Sequence, residues 1–225
     1  MAAQGVRDWP VDNTPIAVVD FETTGLRAGP DRVVEVSVVR LGPQQPPTLV
    51  LDTLVNPTRR VSATEIHGIT DADVRDAPTF RDIAGDFARA IEGSVVAAYN
   101  VYFDIPFLEN ELASAGLNVS VPHVCLMYLR PMLGLGNRCC LEEACRCHGL
   151  EHVAAHVSSA DAQASGQLMT VYLNVMAQKG IATFGDLCRL KDYKFLRSLE
   201  FGALPSTAAA RFPSCARLKS RAGFP

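Results

Sequence analysis

The chain has 225 residues, 48% of them hydrophobic, and a formal net charge of −3. That supplies a sizeable core for one main domain with an appendage. The N-terminal MAAQGVRDWPVDNTP lacks the basic-then-apolar pattern of a signal peptide, and no apolar run approaches the ~20 residues that cross a bilayer. The expectation is a soluble cytoplasmic protein with no membrane partner, and seven cysteines, an odd number without framework spacing, fit reduced thiols there.

In chain order, IAVVDF (residues 16–21) reads as a buried strand running into a Thr-Thr-Gly loop after Glu22. RVVEVSVVRL (32–41) alternates, with Val34, Val36 and Val38 sharing a face, and TLVLDTLVNP (48–57) is a third strand stopped by proline. Gly/Pro-bearing turns between them suggest a meander at one side of a sheet. The period then changes: Phe80, Ile83, Phe87 and Ile91 recur at helical spacing before Gly93. SVVAAYN gives a fourth strand, and DIPFLENELASAGL a helix with Phe107, Leu108 and Leu112 inward. A short strand at about 122–127 and helices at about 139–148 and 160–178 complete a mixed α/β body. Beyond Gly180, one or two amphipathic helices precede a proline-punctuated basic tail.

Charge is unevenly divided. Residues up to Gly185 hold 13 basic and 21 acidic side chains, the last 40 hold 8 and 3. An acidic body repels nucleic acid unless metal ions neutralise it locally, whereas a basic tail attracts it.

Side chains two apart on a strand share a face, so Asp20 and Glu22 project together, ~6–7 Å apart, and Phe21 projects into the opposite layer. Such a pair is either an exposed strand end or a seat for a divalent cation, and an all-oxygen set favours Mg²⁺ or Mn²⁺ over zinc. Asp104 follows the fourth strand at a helix start, and Asp161 opens the long final helix five residues after His156. Each of these two is also a good helix N-terminal residue in its own right. CCLEEACRCH gathers Cys139, Cys140, Cys145, Cys147 and His148, but without a C-x-x-C pair, and a helix would scatter them, so zinc is disfavoured.

DFETTG (20–25), YNVYFD (99–104) and HVSSAD (156–161) resemble, in order and spacing, the three motifs of the DnaQ-like, DEDDh-type 3′-to-5′ exonucleases. EIHGIT (65–70) is similar to the segment between the first two motifs in the proofreading branch, the DNA polymerase III epsilon-like enzymes, and LEEACRCHGL (141–150) to a lesser family pattern.

The resemblance implies a ribonuclease H-like α/β fold with a mixed five-stranded sheet flanked by helices. The exonuclease domain would span 14–178, between an N-terminal extension (1–13) and a basic, partly helical C-terminal extension (179–225). By matched position, Asp20, Glu22, Asp104 and Asp161 would bind two metal ions, Mg²⁺ or Mn²⁺, and His156 would be the general base for water. Thr23, Thr24 and Leu26 would line the terminal-nucleotide pocket, with Leu26 wedged against its base, while His67, Asn100 and Phe103 would contact substrate or support the site. An imidazole titrates near neutral pH, which suits a general base, and two-metal chemistry suits an anionic phosphodiester. Tyr99 departs from the family in standing where His often precedes the Asn, and HVCLMYL (123–129) lacks the usual Asp-Thr.

The implied activity is release of nucleoside 5′-monophosphates from single-stranded DNA 3′ ends. RNA 3′ ends are the alternative within the same chemistry, since the motifs leave the 2′ position open. A polymerase-anchoring or nucleic-acid-binding module, and hydrolysis of small dinucleotides, are alternatives of other classes. The resemblance also leaves room for a DNA polymerase partner or a homodimer.

Overall fold

The structure is a computed structural model describing residues 6–117, 120–152, 155–201 and 218–221. Five strands form one sheet: β1 (Ile16–Thr23), β2 (Val33–Leu41), β3 (Thr48–Leu54), β4 (Val95–Ala98) and β5 (His123–Cys125), in the order β3-β2-β1-β4-β5. β1, β2 and β3 pair antiparallel as the expected meander, and β4 joins β1 and then β5 in parallel. This mixed sheet with flanking helices is the expected ribonuclease H-like arrangement, and it puts β1 at the centre.

The helices are α1 (Thr64–His67), α2 (Asp71–Val74), α3 (Phe80–Ile91), α4 (Val101–Ser114), α5 (Leu126–Met132), α6 (Leu141–Arg146), α7 (Ser158–Gln178), α8 (Phe184–Leu190) and α9 (Ser198–Phe201). The helical periods read around Phe80 and Leu108 are borne out: Phe80, Ile83, Phe87, Phe107, Leu108 and Leu112 are all buried. Thr79 starts α3 with a capping box, its hydroxyl accepting from the Asp82 N–H while the Asp82 carboxylate accepts from the Thr79 N–H. The expected strand at 122–127 is shorter, because Leu126 already begins α5. Strand β2 reads as alternating but is buried almost throughout, because helices cover both faces of the sheet there. α7 comes so close that a Cβ on Gly166 would lie 2.8 Å from Val39 Cγ1.

The expected boundaries near 13 and 179 do not coincide with gaps in packing. Val6 and Val11, before the first strand, and Phe184, Leu187, Phe195, Leu196 and Leu199, after the long helix, belong to the same hydrophobic core as the sheet. The two ends also bind each other: the Val11 N–H donates to Ala182 O at 2.9 Å, the Phe184 N–H to Trp9 O at 3.2 Å, and Arg7 pairs with Glu200 at 3.0 Å. Trp9, partly buried, packs against this same core, so apolar side chains from both ends are removed from water together. Among the described residues no helix is long and apolar enough to cross a membrane.

Candidate active site

The carboxylates converge where β1 ends. The strand period aims Asp20 and Glu22 to one side, while Phe21 is buried beside Phe87 of α3, ring centroids 6.1 Å apart. β1 and β2 slip register between Glu22, opposite Glu35, and Thr23, opposite Val33. Such a bulge bends the strand end away from regular pairing, a device common beside active sites. Asp104 arrives from the first turn of α4, which starts after Asn100 where β4 stops. Asp161 arrives from the first turn of α7, and the Ser158 hydroxyl ties that turn to β1 by donating to Asp20 O at 2.8 Å.

These side chains share a cleft of about 500 Å³ whose lining includes Asp20, Glu22, Asp104, His156 and Asp161, with Thr23, Leu26, His67, Asn100 and Phe103 around them. Every site residue anticipated from sequence lines it except Thr24. Thr24 is buried, and its hydroxyl accepts from the Arg32 N–H at 3.1 Å and donates to Asp31 Oδ1 at 3.4 Å, while its carbonyl accepts from the Ser62 hydroxyl. Its side chain thus closes the loop beside the cleft. Gly25 lets the loop close this tightly, since a Cβ there would sit 2.5 Å from Asp31 Oδ2. The closed loop holds Leu26 out at the rim, 81% exposed.

His67 lines the cleft with both ring nitrogens engaged. Nδ1 accepts from the Ile69 N–H at 3.0 Å, so Nε2 carries the proton and donates to Ser62 O at 3.2 Å. Burial lowers its pKa, which keeps the ring neutral in this supporting position. The Tyr99 hydroxyl donates to Cys139 O at 2.7 Å, so the residue standing in the place of a histidine anchors the loop before α6.

The electrostatics are those of a crowded anionic site. Burial, followed by repulsion from Asp104, Asp161, Glu22 and Glu35, raises the Asp20 carboxyl well above its ordinary range. Burial and then Glu35 and Asp161 push Glu22 up to about 8, and burial pushes Asp104 up to about 8 against backbone hydrogen bonds that lower it. Carboxylates gathered this way are stable as anions only with a compensating cation. Ligand atoms of Glu22, His156 and Asp161 lie within 4.8 Å of one another, close enough to share one ion. The donor set, mainly hard carboxylate oxygens, fits Mg²⁺ or Mn²⁺. The cysteine-rich stretch does not converge in this way: among the described residues no cysteine belongs to a metal-ligand group, Cys145 being buried and Cys140 and Cys147 exposed.

Three residues escaped the reading of the sequence. His152 Nε2 contacts Asp161 Oδ1, and the His156 N–H donates to Asp161 Oδ2 at 3.1 Å with His156 in the left-handed region, φ 63°. The two histidines four apart before Asp161 were the available signal. Glu35, buried beside Glu22, and Arg221, its partner at 3.1 Å, gave no local signal, because the pairing spans 186 positions.

Residues 17–169 match the family RNase_T, described as Exonuclease. The chain belongs to this exonuclease family. It is 32% identical over 183 residues to a DNA polymerase III subunit epsilon-like protein of Rhodobacter capsulatus, covering 78% of this chain and 26% of that protein. It is 30% identical over 177 residues to the DNA polymerase III subunit epsilon of Treponema pallidum, covering 75% and 82%. The chain thus spans about a quarter of the first relative and most of the second. Exonuclease X, solved in complex with 5′ overhanging duplex DNA, shares the fold with a TM-score of 0.56 and 23% identity, covering 78% of this chain and 99% of that one.

Proposed function

We propose that this exonuclease-family chain hydrolyses the terminal phosphodiester at the 3′ end of single-stranded DNA, releasing nucleoside 5′-monophosphates. The observation that carries the proposal is the convergence of Asp20, Glu22, Asp104 and Asp161 with His156 on one open cleft. No structural need of the fold explains four carboxylates gathered there, those of Asp20, Glu22 and Asp104 at raised pKa, whereas phosphodiester hydrolysis does.

Asp20, Glu22, Asp104 and Asp161 would hold two Mg²⁺ or Mn²⁺ ions. Bound there, such ions neutralise the phosphate oxygens and make water more acidic. The protein groups do the rest. His156, exposed on the cleft wall, takes the proton of the attacking water, and its backbone bond to Asp161 ties the base to the carboxylate cluster. Leu26 on the rim offers an apolar face to the terminal base, and Phe103 and Asn100 line the same cleft. Thr23 holds the loop by donating its hydroxyl to Gly25 O at 2.6 Å. The likeness to an epsilon subunit supports a DNA polymerase as partner, and the free thiols of the described cysteines support a cytoplasmic setting.

The proposal is tested with 5′-labelled single-stranded DNA and RNA of equal sequence, Mg²⁺ or Mn²⁺, and an Asp20→Ala control. Stepwise shortening of DNA from the 3′ end, abolished by EDTA and by the substitution, is the expected result. Faster shortening of RNA would reassign the substrate to the alternative polymer. Binding without shortening in either metal would make the chain a binding module.

A further inference from the structure

Residues 218–221 return to the sheet and lie along its outer edge. The Leu54 N–H of β3 donates to Lys219 O at 2.8 Å, and the Lys219 N–H donates to Thr53 Oγ1 at 2.9 Å. The Ser220 hydroxyl donates to Asp52 O at 2.9 Å, and Lys219 Nζ to Asp73 O at 2.8 Å. An edge strand presents unpaired backbone groups, and this segment satisfies part of that edge.

The anchoring delivers Arg221 to the back of the carboxylate cluster. Its Nε meets Glu35 Oε1 at 3.1 Å, and its Nη2 donates to His67 O, so one guanidinium bridges β2 and the cleft-lining helix α1. Glu35 is 1% exposed and sits opposite Glu22 in the β1–β2 register. Its second oxygen accepts from the Ser158 N–H at 3.1 Å, at the first residue of α7, and the Ser158 hydroxyl in turn holds Asp20 O. A continuous set of contacts therefore runs from Arg221 through Glu35 to the backbone of Asp20 and to the turn carrying Asp161. A carboxylate this deep, surrounded by others, is costly without a counter-charge, and Arg221 is the cation in contact with it.

We propose that Arg221 is a positioning residue for metal binding: it supplies the counter-charge that lets Glu35 fix β1 and the start of α7 at the spacing the metal-holding carboxylates require. The inference rests on the reading of Asp20, Glu22, Asp104 and Asp161 as the metal cage. It gives the basic C-terminal segment a role beyond attraction of nucleic acid, as part of the site's own scaffold.

The test is calorimetric titration of the full-length chain with Mn²⁺, for the parent, Arg221→Met, Arg221→Lys, Glu35→Gln and the double variant Arg221→Met/Glu35→Gln, with thermal unfolding and steady-state kinetics alongside. Arg221→Met is expected to weaken Mn²⁺ binding by about 10- to 100-fold, the range for residues that orient metal ligands. It is also expected to lower kcat at saturating Mn²⁺ with KM for a short oligonucleotide unchanged. Arg221→Lys keeps the charge but makes only one of the two contacts, so it recovers part of the loss. Adding Arg221→Met to Glu35→Gln is expected to change Mn²⁺ binding no further.

An Arg221→Met chain that binds Mn²⁺ as tightly as the parent overturns the inference, whether or not it melts earlier. So does an effect of Arg221→Met that persists undiminished in the Glu35→Gln background. A parent chain that binds no Mn²⁺ overturns the metal-cage reading itself, and this inference with it.

Discussion

His152 and Asp161 are hydrogen-bonded through Nε2 and Oδ1, while the His156 N–H donates to the other oxygen of the same carboxylate at 3.1 Å. Asp161 is thus held by a ring on one side and by backbone on the other. The ring of His156 remains directed to the cleft it lines. His156→Ala is therefore expected to lower kcat by about 10²–10⁴-fold, the loss typical of a missing general base. His152→Ala, which only frees one oxygen of Asp161, is expected to cost far less. Single-turnover cleavage of a 3′-terminal nucleotide measures both, and an equal or greater loss with His152→Ala would move the base to that residue.

What the sequence made legible and what it hid follow from the range of the interactions. Asp20 and Glu22 could be paired because a strand's period of two is local. Asp104 and Asp161 could be placed because a helix start is also a local feature, and both line the cleft. The motif resemblance pointed to Thr24 as well, but its burial depends on Asp31 and Arg32 folding back over it. The four-residue helices α1 and α2 and the early start of α5 were missed, since so short a helix carries almost no periodic signal. Val6 and Val11, and the apolar residues from Phe184 to Leu199, read as parts of extensions because the core they join is built with the sequence-distant sheet.

The acidic cleft gives the metal-free protein a characteristic pH response. Burial and mutual repulsion hold the carboxyls of Asp20, Glu22 and Asp104 above their ordinary range, the last two at about 8. A carboxyl with a higher pKa folded than unfolded keeps its proton in the folded state after the unfolded chain has lost it. Stability therefore falls as pH rises from about 4, the unfolded carboxyl value, towards 8. In EDTA the melting temperature is expected to be lower at pH 8 than at pH 5, and Mg²⁺ is expected to restore more at pH 8, where it stabilises the ionised cluster. A melting temperature in EDTA that climbs towards pH 8 would contradict this.

Arg32 and Glu111 join β2 to α4, the helix that carries Asp104. Arg32 Nε and Nη2 donate to the two carboxylate oxygens of Glu111 at 2.8 and 2.6 Å, and the Val33 N–H adds a third bond at 3.2 Å. Glu111 is 1% exposed, so Arg32→Ala strands a buried charge and is expected to cost about 3–5 kcal/mol in denaturant unfolding. Arg32→Lys is expected to recover only part, because lysine cannot form the two-pronged pair. A loss under about 1 kcal/mol, the scale of an exposed ion pair, would show the bridge to be a surface contact.

Leu26 offers the opposite case, an apolar side chain exposed at the cleft rim. Nothing in the core depends on it, so Leu26→Ala is expected to shift stability by less than about 0.5 kcal/mol. Its loss removes the apolar face for the terminal base, and kcat/KM on single-stranded DNA is expected to fall by about 10-fold or more, the scale of one lost buried leucine contact. Parallel melting and cleavage assays separate the two; unchanged kcat/KM would remove Leu26 from the substrate site.

The most direct test of the central claim, that this cleft delivers water to the 3′-terminal phosphodiester, is cleavage of single-stranded DNA in ¹⁸O-water with Mg²⁺, followed by mass spectrometry of the products. Each nucleoside 5′-monophosphate released is expected to carry a single ¹⁸O in its phosphate, the shortened strand to retain an unlabelled 3′ hydroxyl, and Asp104→Asn to release nothing. Release of nucleoside 3′-monophosphates, of label from the 5′ end, or of no nucleotide at all would contradict it.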